Sequence, residues 1–302
     1  MVLLGTVPRR VCATQLDRAM IPTEEQSRLD IVEVGRRLWV QGYVASNDGN
    51  ISVRLSPDRI LTTPKNVSKG FMTPDMCVVT DMSGVKVRGE REASSELKMH
   101  LEVYRQRPDV GAVVHAHPAT ATGFAVAGVP LNRAVLAEVI TTLGGIPIAE
   151  YATPSTAELP AAIREYIRSH DGLLLANHGA LAVGPDLFAA YYRMETIEHF
   201  AKISLVARTL GRENLLSRDE VTRLQNLRGM YGISSPAPIC ADEATPDTVC
   251  QVVEAPVSAA RLVPDTPVLP EHPRAPLGTD REIRLTYGQL TALIDEAVRS
   301  VR

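Results

Sequence analysis

The sequence predicts a compact α/β domain, then a proline-rich tether, then one short amphipathic helix. Three observations carry that reading. Short apolar runs bounded by turn residues alternate with stretches of helical spacing as far as Tyr231. Two of those runs, Val113-Val114-His115-Ala116-His117 and Leu173-Leu174-Leu175-Ala176-Asn177-His178-Gly179, read as buried strands that end in histidine. From Ser235 to Thr279 prolines recur without a sustained period, which marks a linker rather than a packed layer.

The first element is a helix. Thr23 and Gln26 have capping-box spacing, and Leu29, Val32, Val34, Leu38 and Val40 supply an apolar side before Gly42 stops it. Strands are expected at Ile51 to Leu55, Arg59 to Thr63 and Met76 to Val79, with turns at Ser56-Pro57-Asp58 and Ser83-Gly84. Ser94 to Arg107 reads as a helix ended by Pro108. The His115 strand follows, then a helix from Ala119 to Ala127, a strand near Ile146 to Tyr151, and a helix from Glu158 to Ser169. Gly179 joins the His178 strand to Ala180-Leu181-Ala182-Val183 as a hairpin-like pair. Pro185 fits the first turn of a long helix that ends at Gly211, and Ser217 with Glu220 caps another that runs to about Arg228. Near the end, Thr286 and Gln289 cap a helix with Leu290, Leu293, Ile294, Ala297, Val298 and Val301 at helical spacing. The expected division is a tail at 1–20, the domain at 21–234, the tether at 235–278 and the last helix at 279–302.

Composition narrows the function class. A chain of 302 residues with a net charge of −3 gives no reason to expect nucleic acid. Its apolar runs are too short for a membrane span, and Val2-Leu3-Leu4 is too short for a signal-peptide core. Cys12, Cys77, Cys240 and Cys250 lack metal-ligand spacing, so reduced thiols and a cytoplasmic location are expected.

The histidines suggest chemistry. Residues i and i+2 of a strand project from the same face, so His115 and His117 can grip one ion from a single rigid element, with His178 as a third ligand. Imidazoles favour zinc, while ligand type alone leaves manganese, cobalt and iron open. Upstream, Ser94-Ser95-Glu96 at a helix start reads either as N-capping or as an anion site with a carboxylate for proton transfer. Asp48-Gly49-Asn50-Ile51-Ser52-Val53-Arg54 is a turn leading into a strand.

Taken in order, several motifs resemble the class II aldolase/adducin family, and within it the zinc-dependent fuculose-phosphate aldolases. They are Gly49-Asn50-Ile51-Ser52-Val53-Arg54, Thr63-Pro64, Ser94-Ser95-Glu96, His115-Ala116-His117, Tyr151-Ala152-Thr153, Asn177-His178-Gly179 and Tyr231-Gly232, and the resemblance covers about residues 24 to 232. The resemblance implies a three-layer α/β fold with a central, mainly antiparallel sheet flanked by helices. It also implies a cyclic homotetramer with active sites between subunits. By the same resemblance His115, His117 and His178 bind one zinc per subunit, and Glu96 is the acid/base. Ser94, Ser95 and Asn50 match phosphate-binding positions, and Tyr231 matches a tyrosine used close to the substrate. The implied reaction splits a ketose 1-phosphate such as L-fuculose 1-phosphate into dihydroxyacetone phosphate and an aldehyde, with zinc stabilising the enediolate.

Departures bear on the substrate. After Thr63-Pro64 the family's Thr or Ser followed by Gly is replaced by Lys65-Asn66, and lysine binds either phosphate or a carboxylate as a point charge. Asn47 stands where the fuculose enzymes have threonine, and the neighbouring-subunit tyrosine falls near Glu138. Decarboxylation or epimerisation on the same metal site, and a non-catalytic adducin-like module, are the alternatives. Two readings of residues 279–302 stay open: docking on a subunit, or a tag that addresses the enzyme to a bacterial microcompartment shell.

Overall fold

A computed structural model of the chain describes residues 23–233 together with 235, 237 and 239. The expected N-terminal tail, nearly all of the tether and the last helix lie outside the described residues. Among the described residues no helix is long and apolar enough to cross a membrane.

Helix α1 (Glu24–Val40) begins as its cap residue requires, with Thr23 Oγ1 accepting from Gln26 N at 3.2 Å. The other half of the expected capping box does not form, because the Gln26 amide donates to Asp30 at 2.8 Å instead. The buried stripe is Ile31, Val34 and Leu38, at i, i+3 and i+7. Leu29 and Val40 of the expected apolar side fall off that face and are exposed.

Strands β1 (Asn50–Ser56), β2 (Arg59–Thr62), β3 (Val78–Asp81) and β4 (Lys86–Arg88) form an antiparallel meander. Strand β5 (Ala112–Ala116) adds to the other edge of β1. Beyond it lie β8 (Gly179–Gly184), β7 (Gly172–Leu175) and the two-residue β6 (Ile148–Ala149). The order is β4-β3-β2-β1-β5-β8-β7-β6, and the β6–β7 pairing is the parallel one. The expected strand at Met76 starts two residues later, because Pro74–Met76 winds into a 3-10 turn. Strand β4 escaped the sequence reading because Lys86-Val87-Arg88 is an exposed edge with no apolar run to mark it.

Helices α1, α3 (Ala119–Ala127) and α6 (Leu187–Thr209) cover one face of the sheet, while α2 (Leu97–Gln106) and α5 (Glu158–Ile167) pack together on the other. Helices α4 (Ala137–Thr142) and α7 (Arg218–Leu227) pair at the margin, and α7 runs into a 3-10 turn at Arg228–Tyr231. Both faces of the central strands are therefore dry. Strands β5, β7 and β8 are buried at every residue, which explains why they read as continuous apolar runs rather than as alternating ones. This is the expected three-layer α/β fold.

Two helix starts differ from expectation. Helix α2 begins at Leu97, with Glu96 at the cap, rather than at Ser94. The preceding chain is held extended: Lys65 N donates to Glu92 O at 2.9 Å and Ser94 N to Thr63 O at 3.2 Å, so helical dihedrals cannot start earlier. Pro185 precedes α6 rather than opening its first turn, because Asp186 takes the cap and accepts from Ala189 N at 2.8 Å. The Ser217–Glu220 capping box is complete.

The far end of the sheet is tied by buried charge. Asp171 pairs with Arg107 and Arg193, both at 3.0 Å, and accepts from Ser235 Oγ at 2.6 Å. Arg228 donates to Ile140 O and Ser235 O, linking Ser235 to α4. The histidine-bearing end of β5, β7 and β8 lies opposite.

A candidate metal centre

His115 is the penultimate residue of β5, fully buried and facing the α2 layer; His117 is the first residue beyond the strand. Their Nε2 atoms are 3.1 Å apart, as the same-face argument requires. His178 arrives in the turn between β7 and β8 rather than on the strand itself. Asn177 makes that turn possible by taking φ 55°, a left-handed conformation that asparagine tolerates. The three rings form a nearly equilateral triangle. Their centroids are 4.8, 4.9 and 5.0 Å apart, and the interplanar angles are 60 to 67°.

Two of the three rings are oriented from outside. His115 Nδ1 lies 2.8 Å from Ala180 O; a carbonyl only accepts, so Nδ1 carries the proton and Nε2 keeps its lone pair. His117 Nδ1 sits 3.4 Å from Asp48 Oδ2, which turns its Nε2 towards His115. The backbone of His117 is fastened on both sides. Its N donates to Tyr43 O at 2.8 Å, and the following helix α3 is anchored by Glu198, which accepts from Thr120 N and Ala121 N. His178 Nδ1 is buried and has no protein partner.

The donor set fits a tetrahedral cation. Nitrogens bound at about 2.0–2.1 Å in a tetrahedron stand roughly 3.3 Å apart, close to the 3.1 Å between the His115 and His117 Nε2 atoms. One ligand atom from each of His115, His117 and His178 lies within 4.8 Å of the others, so this three-histidine group could hold a metal ion. Burial and the charge of His115 pull the His117 pKa down to about 3, which keeps that ring neutral at physiological pH.

Glu96 closes the remaining side. Its Oε2 is 3.3 Å from His115 Nε2 and its Oε1 is 3.2 Å from His178 Nε2. Asn50, opposite His115 in the β1–β5 register, donates from Nδ2 to Glu96 Oε2 at 2.8 Å. Burial raises the Glu96 pKa, but when His115 and His178 carry protons on Nε2, as they do without a bound ion, the charge of His115 and hydrogen bonds from both rings outweigh it. The carboxyl is held well below the usual range. Glu96 thus stands ionised beside the histidines, the form that accepts a proton. One turn along α2, His100 is fully buried between Ser52 Oγ, 2.7 Å from its Nδ1, and the sheet. Burial pulls its pKa down to about 3.

The other predicted residues separate into groups. Ser94 Oγ accepts from Glu96 N at 3.3 Å, so it braces the carboxylate's backbone, while Ser95 is exposed beside it. The backbone stitching of 92–94 to 63–65 places Ser94-Ser95 next to Lys65-Asn66 in the chain path; both Lys65 and Asn66 are exposed. Asn47 and Asn66 line one open cleft of about 550 Å³ together with Ser46, Ser68, Trp39 and Phe71. Tyr231 sits in the final 3-10 turn and is 67% exposed in the single chain. Asp48 and Lys69 escaped the sequence reading as site residues. Asp48 was read only as turn chemistry, and nothing in Ser68-Lys69-Gly70 signals that the lysine is buried.

Two glycines let the chain approach this closely. Gly49 has φ +70°, and a Cβ there would meet Val44 Cγ1 at 2.7 Å and His115 O at 2.8 Å. A Cβ on Gly179 would come within 2.5 Å of His117 Cδ2, 2.7 Å of Ala116 O and 3.3 Å of His115 Cε1. We expect Gly179→Ala to fold with a loss of about 1–3 kcal/mol and to displace both rings. Metal affinity by competition with a chelating dye should fall at least about tenfold; unchanged affinity would show that the rings have more room than their packing allows.

Comparison with known proteins agrees with this geometry. The family described as Class II Aldolase and Adducin N-terminal domain matches residues 29–205, more than half of the chain. The chain belongs to this family. It is 32% identical over 213 residues to the 5-methylthioribulose-1-phosphate/5-deoxyribulose-1-phosphate aldolase of Rhodospirillum rubrum, covering 70% of this chain and 95% of that one. It is 28% identical over 212 residues to the 3-oxo-tetronate 4-phosphate decarboxylase of Pectobacterium atrosepticum, covering 68% and 95%. Among solved structures, an L-fuculose 1-phosphate aldolase matches with a TM-score of 0.63 and 32% identity, over 67% of this chain and 95% of that one. Aldolases and decarboxylases are both lyases, and the chain is an enzyme of that class.

Proposed function

We propose that the protein is a divalent-metal lyase that splits the bond between the α and β carbons beside the carbonyl of a ketose 1-phosphate, releasing dihydroxyacetone phosphate and an aldehyde. The observation that carries this reading is the triangle of His115, His117 and His178 with an ionised Glu96 across its open side. His115, His117 and His178 hold the metal, one per subunit, with zinc the ion their chemistry favours. When bound, the metal supplies Lewis-acid stabilisation of the charge left on the carbonyl oxygen as the bond breaks.

The rest falls to the chain. Glu96, steered by Asn50 Nδ2, accepts the proton that the substrate hydroxyl gives up as the aldehyde forms and delivers it to the carbon that loses its bond; in synthesis the proton moves the other way. Asn47, Asn50, Lys65, Asn66, Ser94 and Ser95 receive the phosphate. Tyr231, exposed in the single chain, works in this reading in a site completed by a neighbouring subunit of a homotetramer. The domain at 21–234 does this work in the cytoplasm. Residues 279–302 then either dock on a subunit or address the enzyme to a microcompartment shell.

A second reading is favoured by Lys65-Asn66 and by the Pectobacterium relative. It is decarboxylation of a 3-oxo acid phosphate, in which the same centre stabilises the same kind of enediolate and carbon dioxide leaves instead of an aldehyde. Metal-loaded protein incubated with each substrate class separates the two: triose phosphate and an aldehyde released from a ketose 1-phosphate support the aldolase, and carbon dioxide released with triose phosphate from the 3-oxo acid phosphate alone supports the decarboxylase.

A further inference from the structure

Lys69 is a cation where a loop should have none. It is only 2% exposed, and its Nζ donates to Asn47 O and Val67 O, both at 2.8 Å. Among the described residues no carboxylate lies within ion-pair distance of it, so two carbonyl dipoles take the place of a counter-ion. A buried ammonium so poorly compensated costs several kcal/mol, and a methionine of similar shape would avoid that cost.

The site is built to hold it there. The 3-10 turn at Lys69–Phe71 is wedged against α1. A Cβ on Gly35 would meet Lys69 O at 2.9 Å, and one on Gly70 would meet the Trp39 ring at 2.6 Å. From this fixed base the side chain runs inward beneath two loops, 46–50 and 65–68. Each loop contains a non-glycine residue in a left-handed conformation, Ser46 at φ 50° and Asn66 at φ 59°. Lys69 bonds one backbone carbonyl of each, and the Asn47 and Asn66 they carry line the same cleft. Its charge is felt in the centre: Asp48 and Glu96 favour it, and it disfavours protonation of His117. Burial pulls its pKa down to about 8, so the group is still mostly charged near neutral pH.

We infer that Lys69 is the positioning residue of an anion subsite: it clamps loops 46–50 and 65–68 together and places an unneutralised positive charge beneath them for a phosphate monoester. This rests on the phosphate-ester reading given above. The bound dianion supplies the missing countercharge, so the cost of burying Lys69 is offset when substrate binds. The effect belongs to binding of the phosphate rather than to the proton transfer at Glu96.

The test is calorimetric titration of the metal-loaded, full-length protein with inorganic phosphate, paired with steady-state kinetics. Lys69→Met should keep its metal content and weaken phosphate binding at least about tenfold. It should also raise KM for a ketose 1-phosphate by more than it lowers kcat, and Lys69→Arg should recover part of the loss. Phosphate affinity and KM equal to wild type in folded, metal-loaded Lys69→Met would overturn the inference while leaving the phosphate-ester reading intact. A wild-type protein that fails to bind phosphate would overturn both. If Lys69→Met does not fold, Lys69→Gln gives the same two-way result, since it keeps an amide donor and removes the charge.

Discussion

Replacing His115 with alanine should leave the protein without its metal. His115 is fully buried, its Nε2 lies within 3.3 Å of both His117 Nε2 and Glu96 Oε2, and its ring is oriented by Ala180 O. Removing it leaves two imidazoles on two different segments, too few to hold a tetrahedral ion against water. Metal content by elemental analysis should fall from about one ion per chain to below about a tenth of that, and lyase turnover should vanish with it. Ionised Glu96 also loses a partner, so Asn50 and His178 must hold it alone. Full metal content in His115→Ala would remove the three-histidine assignment.

Glu96→Gln is the second large effect, and it separates metal binding from proton transfer. Glutamine keeps the shape and one oxygen, so the three histidines should retain the metal. The amide cannot move a proton, so kcat should fall roughly 10²- to 10⁴-fold. KM should change much less, because glutamine keeps the shape of the side chain and its bond from Asn50, leaving the phosphate-binding residues in place. The hydrogen bond from Asn50 Nδ2 to Oε2 sets the expected orientation: the glutamine oxygen takes that place and its amide nitrogen turns towards His178. Turnover close to wild type with metal retained would assign the proton transfer to another group.

How much of this was legible before the structure depends on how local each signal is. His115 and His117 were readable because a strand alternates sides every residue, so their separation alone aims both rings at one ion. His178 was readable as a strand end, although it sits in the turn that Asn177 makes possible. The α/β class was readable because β5, β7 and β8 are buried on both faces and appear as unbroken apolar runs, while the three-layer arrangement came from the family resemblance.

Signals that depend on distant partners were not readable. Ser94 looked like the start of a helix, but long-range hydrogen bonds to the Thr63–Lys65 segment hold it extended. Gln26 completed a capping box on paper and bonded Asp30 in space. Helix α4 and strand β4 are too short or too polar to show a period. Glu96 read either as part of a helix cap or as a proton-transfer carboxylate, and only the resemblance chose between them, since no local rule puts a carboxylate across from three histidines. Lys69 was wholly hidden, because a lysine between serine and glycine is ordinarily solvated and only tertiary packing buries it.

The most direct measurement of the central claim is product analysis. Protein depleted of metal and reconstituted with zinc is incubated with a panel of ketose 1-phosphates and a 3-oxo acid 4-phosphate, and triose phosphate and carbon dioxide are followed together. The account predicts metal-dependent release of dihydroxyacetone phosphate from at least one ketose 1-phosphate, lost in His115→Ala and in Glu96→Gln. Fully metal-loaded protein that releases no dihydroxyacetone phosphate from any ketose 1-phosphate of the panel would contradict it.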